Sequence, residues 1–239
     1  MQNPTAAMLV IGDEILSGRT RDANMYHLAG KLTALGIDLC EVRIVADDGP
    51  AIVAALNDLR ARADHVFTSG GIGPTHDDIT ADCVAQAFGV GIDVRQDARA
   101  ALARNYPNGE DDLNPARLRM ARIPDGARLI DNPVSGAPGF QIGNVFVMAG
   151  VPAVFQAMVE SVLPTLAGGA PLMSESVRID RGESEVAEAL ATIAARYPEV
   201  AIGSYPFQRD GRYGTNIVLR AQLRDPLDAA ANDVRALVV

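Results

Sequence analysis

Residues 6–12, AAMLVIG, form an unbroken apolar run of strand length, with no polar position to turn toward water. Such a strand belongs inside a parallel sheet, buried on both faces. The segments after it keep to that frame. Met25, Leu28, Leu32 and Leu35 share one helical face, and Gly36 stands where a left-handed cap belongs. Residues 39–46 return to strand character. Pro50 opens another helix, with Ile52, Val53, Leu56 and Leu59 facing inward. Residues 65–69 (HVFTS) predict a third strand, followed by the loop GGIGPTHDDIT and a helix bearing Val84, Ala85 and Phe88. Alternation of this kind predicts a three-layer α/β/α sandwich around a mostly parallel sheet with right-handed crossovers.

Further along, residues 95–106 and 114–121 read as helices, the second with Asn114 as N-cap and Pro115 after it. Residues 140–142 and 145–148, joined by Gly143-Asn144, predict a hairpin. A helix begins at Pro152, with Phe155, Met158, Val159 and Val162 inward. Gly168-Gly169-Ala170-Pro171 is the linker candidate, dividing the chain into an α/β domain at 1–169 and a small α+β domain at 170–239. The second part reads as strand (176–179), helix (184–196), strand (200–204), an alternating strand (215–223, with Ile217, Leu219, Ala221 and Leu223 on one face) and a last helix opened by Asp225-Pro226.

Composition excludes several functions. With 21 Lys and Arg against 30 Asp and Glu, the net charge is −9, which argues against a nucleic-acid backbone as the main partner. Lys31 is the only lysine. Two separated cysteines, Cys40 and Cys83, without a CxxC or histidine cluster, predict neither a zinc site nor a disulfide framework, and suit a reducing cytoplasm. Residues 132–159 carry no charged side chain, yet prolines and glycines break the stretch repeatedly, so it reads as loop, hairpin and helix start rather than a membrane span. The first residues, MQNPTAA, lack the basic region of a secretion signal. A soluble, cytoplasmic protein without membrane or nucleic-acid partners is the expectation.

Ligands of such sheets bind beyond the carboxyl ends of the strands. Two loops meet that condition: residues 12–18 (GDEILSG) and residues 69–80 (SGGIGPTHDDIT). In the second, Gly70, Gly71 and Gly73 let successive N–H groups crowd toward an anion, and the following helix adds its positive dipole end. A phosphate or pyrophosphate is the natural occupant. It is not a P-loop, lacking Gly-Lys-Ser/Thr, nor the dinucleotide fingerprint, since His76 stands where the third glycine belongs. Asp77 and Asp78 would repel a phosphate unless a divalent cation intervenes, and Asp13 and Glu14 extend the acidic set. Asp78 and Thr80 also suit plain helix capping; Asp47-Asp48 follows the second strand and could face the same crevice, but reads better as an N-cap pair before Pro50. His76, Arg19 and Arg21 are weaker candidates for phosphate contact; His27 and His65 read as structural, and Ser17, with no visible base, is not a nucleophile candidate.

Gly12-Asp13-Glu14, Ser17-Gly18, Asp22-x-Asn24 and the stretch 69–80 together resemble the molybdopterin-binding (MoaB/Mog-like) domain. Asn132-Pro133, residues 136–140 (GAPGF) and Gly150-Val151-Pro152 make the resemblance closest to the competence/damage-inducible protein A branch. It covers about residues 6–166, and the tail resembles the small α+β domain that follows in that family. The resemblance implies phosphate binding by Gly12, Ser69, Gly70, Gly71, Gly73, Pro74, Thr75, Thr80, Asn24, Gly136, Pro138 and Gly139. It further implies a metal (Mg, Mn or Co) on Asp13, Glu14 and Asp78, catalysis by Asp78 and Asp77, and a homo-oligomer. The leading expectation is metal-dependent hydrolysis of a nucleotide-sugar pyrophosphate such as ADP-ribose. The alternatives are a molybdopterin-binding or adenylyltransferase-like protein of molybdenum-cofactor assembly, or a non-catalytic nucleotide- or pterin-binding module. Long family members carry a further nicotinamide mononucleotide deamidase domain, and a chain ending at Val239 is expected to lack it.

Overall fold

The structure, a computed structural model, describes residues 3–209 and 211–238. The chain divides into two compact units, Met1–Gly169 and Ala170–Val239.

Unit 1 begins with β1 (Thr5–Ile11), a short helix α1 (Asp13–Leu16), α2 (Asn24–Ala34), β2 (Asp38–Val45), α3 (Gly49–Arg62), β3 (His65–Ser69) and α4 (Thr80–Phe88). An excursion follows: β4 (Ile92–Val94), α5 (Gln96–Ala103), α6 (Pro115–Arg119), β5 (Arg122–Pro124) and β6 (Arg128–Ile130). The unit closes with β7 (Gly139–Ile142), β8 (Val145–Met148) and α7 (Pro152–Val162). Six strands make the main sheet in the order β2-β1-β3-β8-β7-β6. The first four run parallel, and β7 and β6 add antiparallel strands at one side.

The alternation along β1 shows why a run without polar residues was needed. Ala6, Met8 and Val10 meet Leu28 and Leu32 of α2 and Phe155, Met158 and Val159 of α7. Ala7, Leu9 and Ile11 meet Ile52, Leu56 and Leu59 of α3 and Val84 of α4. Each fully buried side chain of this size contributes about 1.5–3 kcal/mol. Phe67 and Phe146 stack across β3 and β8 with centroids 5.0 Å apart. Met25, expected inward, is exposed instead: the buried stripe of α2 runs through Asn24, Leu28 and Leu32, and Met25 is turned one position off it, about 100° around the helix.

The excursion was the part least visible from periodicity. The two-stranded ribbon of β4 and β5 has only three residues per strand, too short to show alternation. Asn114 does cap α6, accepting from the Arg117 N–H at 2.9 Å, but the helix ends at Arg119.

Unit 2 is β9 (Met173–Ile179), α8 (Glu183–Arg196), β10 (Ala201–Arg209), β11 (Arg212–Ala221) and α9 (Arg224–Arg235). Its antiparallel sheet has the order β10-β11-β9. Val177, Ile179, Ile217, Leu219 and Ala221 pack with Val186, Leu190 and Ile193 of α8 and Leu227, Ala230 and Val234 of α9 in a core of their own. Leu223, expected on that face, is exposed, since β11 stops at Ala221 and the chain turns into α9. Among the described residues no helix is long and apolar enough to cross a membrane.

Candidate functional site

A cavity of about 530 Å³ opens in unit 1 beyond the carboxyl ends of the parallel strands. That volume matches sites for nucleotide-sized ligands. The residues after β1, β2, β3 and β8 all reach it, which is why the site follows from strand order.

The loop after β3 forms one wall. Gly70 has φ +110°, and a Cβ there would lie 2.2 Å from the Ile11 carbonyl oxygen, so no other residue fits between β1 and β3 at this point. Gly71 has φ +69°, and a Cβ there would strike the Thr80 hydroxyl at 2.1 Å. Thr80 is fully buried; its hydroxyl donates to the Gly70 carbonyl at 3.0 Å and its N–H to the Gly71 carbonyl at 2.9 Å. Folded this way, the loop leaves the N–H groups of Gly71, Ile72 and Gly73 without a partner among the described residues, and all three residues line the cavity. Successive unpaired amides of this kind attract anions.

The remainder of the loop is held from its own side chains. The Asp78 carboxylate accepts from the Thr75 N–H at 2.8 Å and the Thr75 hydroxyl at 2.6 Å. The Arg119 guanidinium donates to the Asp78 carbonyl at 3.0 Å from the far side of the wall. Asp77 and Asp78 both line the cavity. His76 does not; it is 99% exposed, and its Nδ1 stands 3.9 Å from Asp77.

Glu14 and Asp47 face the same space from the loops after β1 and β2. The pair Asp47-Asp48 divides its work. Asp48 caps α3, accepting from the Ala51 N–H at 3.0 Å, while Asp47 accepts from the Asp13 N–H at 3.0 Å. Burial holds the Asp47 carboxyl above the ordinary aspartate range. The Asp13 N–H pulls it down, and the charges of Asp13, Glu14 and Asp77 push it up again. Four carboxylates thus line a cavity whose lining includes no Lys, Arg or His. Asp13 itself supplies its backbone to Asp47 rather than a cavity-lining side chain. Among the described residues no group of three or more His, Cys, Asp or Glu is placed to hold a metal ion. Asp13, Glu14 and Asp78 are therefore not gathered into a three-carboxylate cluster.

Gly12, Gly70, Gly71, Gly73 and Pro74 line the cavity. The other expected binding residues are not among its lining. Ser69 and Asn24 are buried: the Asn24 carboxamide donates to Ser69 Oγ at 2.8 Å and to the Gly150 carbonyl at 2.7 Å, joining α2, β3 and the turn before α7. Thr75 and Thr80 brace the loop rather than face the opening. Gly136 lies between the lining residues Ser135 and Ala137, Pro138 borders a neighbouring recess beside Asp78 and Arg119, and Gly139 starts β7. Arg19 and Arg21 are exposed and make no ion pair among the described residues. Sequence reading missed Thr20, Met120 and Arg119 as neighbours of the site. It raised Asp47, from its position after a parallel strand, but preferred a capping role that falls to Asp48 alone. An apolar wall of Ile72, Met120, Val151, Pro152 and Val154 completes the cavity.

Residues 7–168 match the family described as "Probable molybdopterin binding domain". Residues 171–238 match "FAD synthase, middle domain", a relation that sequence reading did not find. A CinA-like protein of Citrifermentans bemidjiense is 41% identical over 167 residues, covering 68% of this chain and 40% of that protein. A "Probable FAD synthase" of Caenorhabditis elegans is 30% identical over 262 residues, covering 99% of this chain and 50% of that protein. This chain thus spans half or less of the length of these two relatives. The crystal structure of the protein CinA from Thermoplasma acidophilum superposes with a TM-score of 0.64 at 34% identity, over 69% of this chain and 99% of that one.

Proposed function

The chain belongs to the "Probable molybdopterin binding domain" family, and from that premise we propose that unit 1 binds a phosphorylated heterocycle, a nucleotide or pterin phosphate, together with a divalent cation, for adenylyl transfer. One observation carries this reading: three unpaired amides and four carboxylates face one cavity without a cationic side chain among its lining. A free phosphate would meet net repulsion there, whereas a phosphate carried with its cation satisfies both walls.

The donor set fits such a cation. Mg²⁺ commonly takes one or two carboxylates and fills its shell with phosphate oxygens and water. One or two of Glu14, Asp47, Asp77 and Asp78 would hold it, with ligand oxygens and water completing the shell. When bound, the cation neutralises charge on the transferring phosphoryl group. The chain's own groups do the rest. Amides of Gly71, Ile72 and Gly73 orient the phosphate oxygens, Thr75 fixes one Asp78 oxygen, and the Ile72, Met120, Val151 and Val154 wall excludes water and receives the planar ring. The relative named as a FAD synthase matches both units, and a flavin dinucleotide also joins a planar ring to a phosphate.

Calorimetry with ADP in the presence of Mg²⁺ and again with EDTA tests the binding step. Binding is expected only with the metal, weakened at least about tenfold in Asp78→Ala. Equal binding in EDTA, undisturbed by that variant, removes the cation from the reading. Product analysis then separates the chemistries. ATP with molybdopterin should yield an adenylylated pterin and pyrophosphate, the pterin phosphate displacing it from the α-phosphorus of ATP. AMP and ribose 5-phosphate from ADP-ribose with Mg²⁺, Mn²⁺ or Co²⁺, and no adenylylated pterin, would put hydrolysis in place of transfer.

A further inference from the structure

Unit 2 has a sheet face that its own helices leave bare. Both α8 and α9 pack against the side bearing Val177, Ile179, Ile217 and Leu219. Strand alternation sends Arg178, Val218, Arg220, Tyr205 and Phe207 to the other side. On that side two aromatic rings lie down on the sheet instead of standing away from it. The Tyr205 ring covers Gly203 of its own strand, where a Cβ would meet it at 3.1 Å. The Phe207 ring covers Gly214, directly opposite on β11, where a Cβ would sit 2.4 Å from the ring. The two glycines leave room for the rings, and with Arg178 over Phe207 it is Tyr205 that stays open. Tyr205 is 50% exposed, and the Arg178 guanidinium lies 4.6 Å from the Phe207 centroid.

Among the described side chains of this face Arg178 and Arg220 carry charge, and neither β10 nor β11 contains Asp or Glu. Exposed Arg220 makes no ion pair among the described residues, while Arg178 shares its charge with Asp180 at 2.8 Å. Ser174, Ser176 and Asn216 fall on the same side and bring hydrogen-bonding groups. An exposed ring beside arginines on a sheet face without helices suits an unstacked base and a phosphate backbone. We propose that this face of unit 2 binds single-stranded nucleic acid, a base stacking on Tyr205 and phosphates passing Arg220 and Arg178. A duplex has its bases already stacked and meets only the arginines.

Fluorescence anisotropy on the full chain tests this, with labelled oligo-dT and oligo-U as single strands and a duplex of the same length. Single strands are expected to bind at least about tenfold more tightly than duplex, with Tyr205→Ala costing about tenfold and Tyr205→Phe restoring it. Arg220→Gln is expected to lower the slope of log K against log salt by about 0.7. Thermal melts and Arg220→Gln keep the test meaningful should Tyr205→Ala unfold. Absence of saturable binding, equal duplex affinity, or indifference to both substitutions overturns the proposal. So does loss of binding in Asp78→Ala, which would assign the oligonucleotide to the cavity of unit 1. A concentration-dependent dimer dispersed by Tyr205→Ala would make the face a seam between copies, and overturns it equally.

Discussion

At Gly70 and Asp47 the demands of folding and of ligand chemistry meet in single residues. Gly70→Ala forces a Cβ against the Ile11 carbonyl in a backbone region closed to other residues, and is expected to cost about 2–4 kcal/mol of stability by urea unfolding. Asp47 works in the opposite sense. Its carboxyl is raised by burial and by neighbouring negative charge. The folded chain therefore keeps that proton to higher pH than the unfolded chain does. Its stabilising contribution is complete below the unfolded value and is lost as pH rises through the folded one. Asp47→Asn suffers no such loss, so its melting temperature should gain on the parent's as pH rises above the ordinary aspartate range, while Mg²⁺-dependent nucleotide binding weakens. A variant that melts lower at neutral pH would show that the Asp13 N–H contact outweighs the repulsion. The glycines and the acidic pair at 77–78 were legible because φ freedom and charge are properties of residue type. Asp47 was less so, because its neighbour Asp48 supplies a helix cap by the same chemistry and sequence cannot say which of two adjacent carboxylates turns inward.

Elements were legible in proportion to their length. β1, α2, α3, β3 and α4 show in the apolar periodicity because each packs one or two full faces on a single core. β4, β5 and β6 hold three residues apiece, and α1 only four, below the length at which any period can register. The connection between β3 and α4 illustrates the remaining gap. Thr80 reads as a helix cap or a ligand contact, yet it is the brace that folds the preceding turn. Thr80→Val keeps its shape and removes the hydroxyl from the buried Gly70 carbonyl. It is expected to cost about 1–3 kcal/mol and to weaken nucleotide binding although it touches no ligand. Unchanged stability with reduced binding would instead place the hydroxyl in the cavity.

For the whole molecule, a single net charge misleads. The sum of −9 argues against a polyanion, yet the sheet face of unit 2 that its helices leave bare carries Arg178 and Arg220. Two separate cores predict separable units: a fragment ending at Gly169 should melt cooperatively and keep the ADP affinity of the full chain. Loss of either would show that residues beyond 169 are needed to complete unit 1. The cavity, by contrast, cannot be divided. Asn24 reaches Gly150 across 126 positions of sequence, and the lining itself runs from Ile11 to Val154. During synthesis, then, every earlier strand is made before the last wall leaves the ribosome. Ligand capture can begin only when α7 has emerged, so nucleotide affinity would time the final step of assembly.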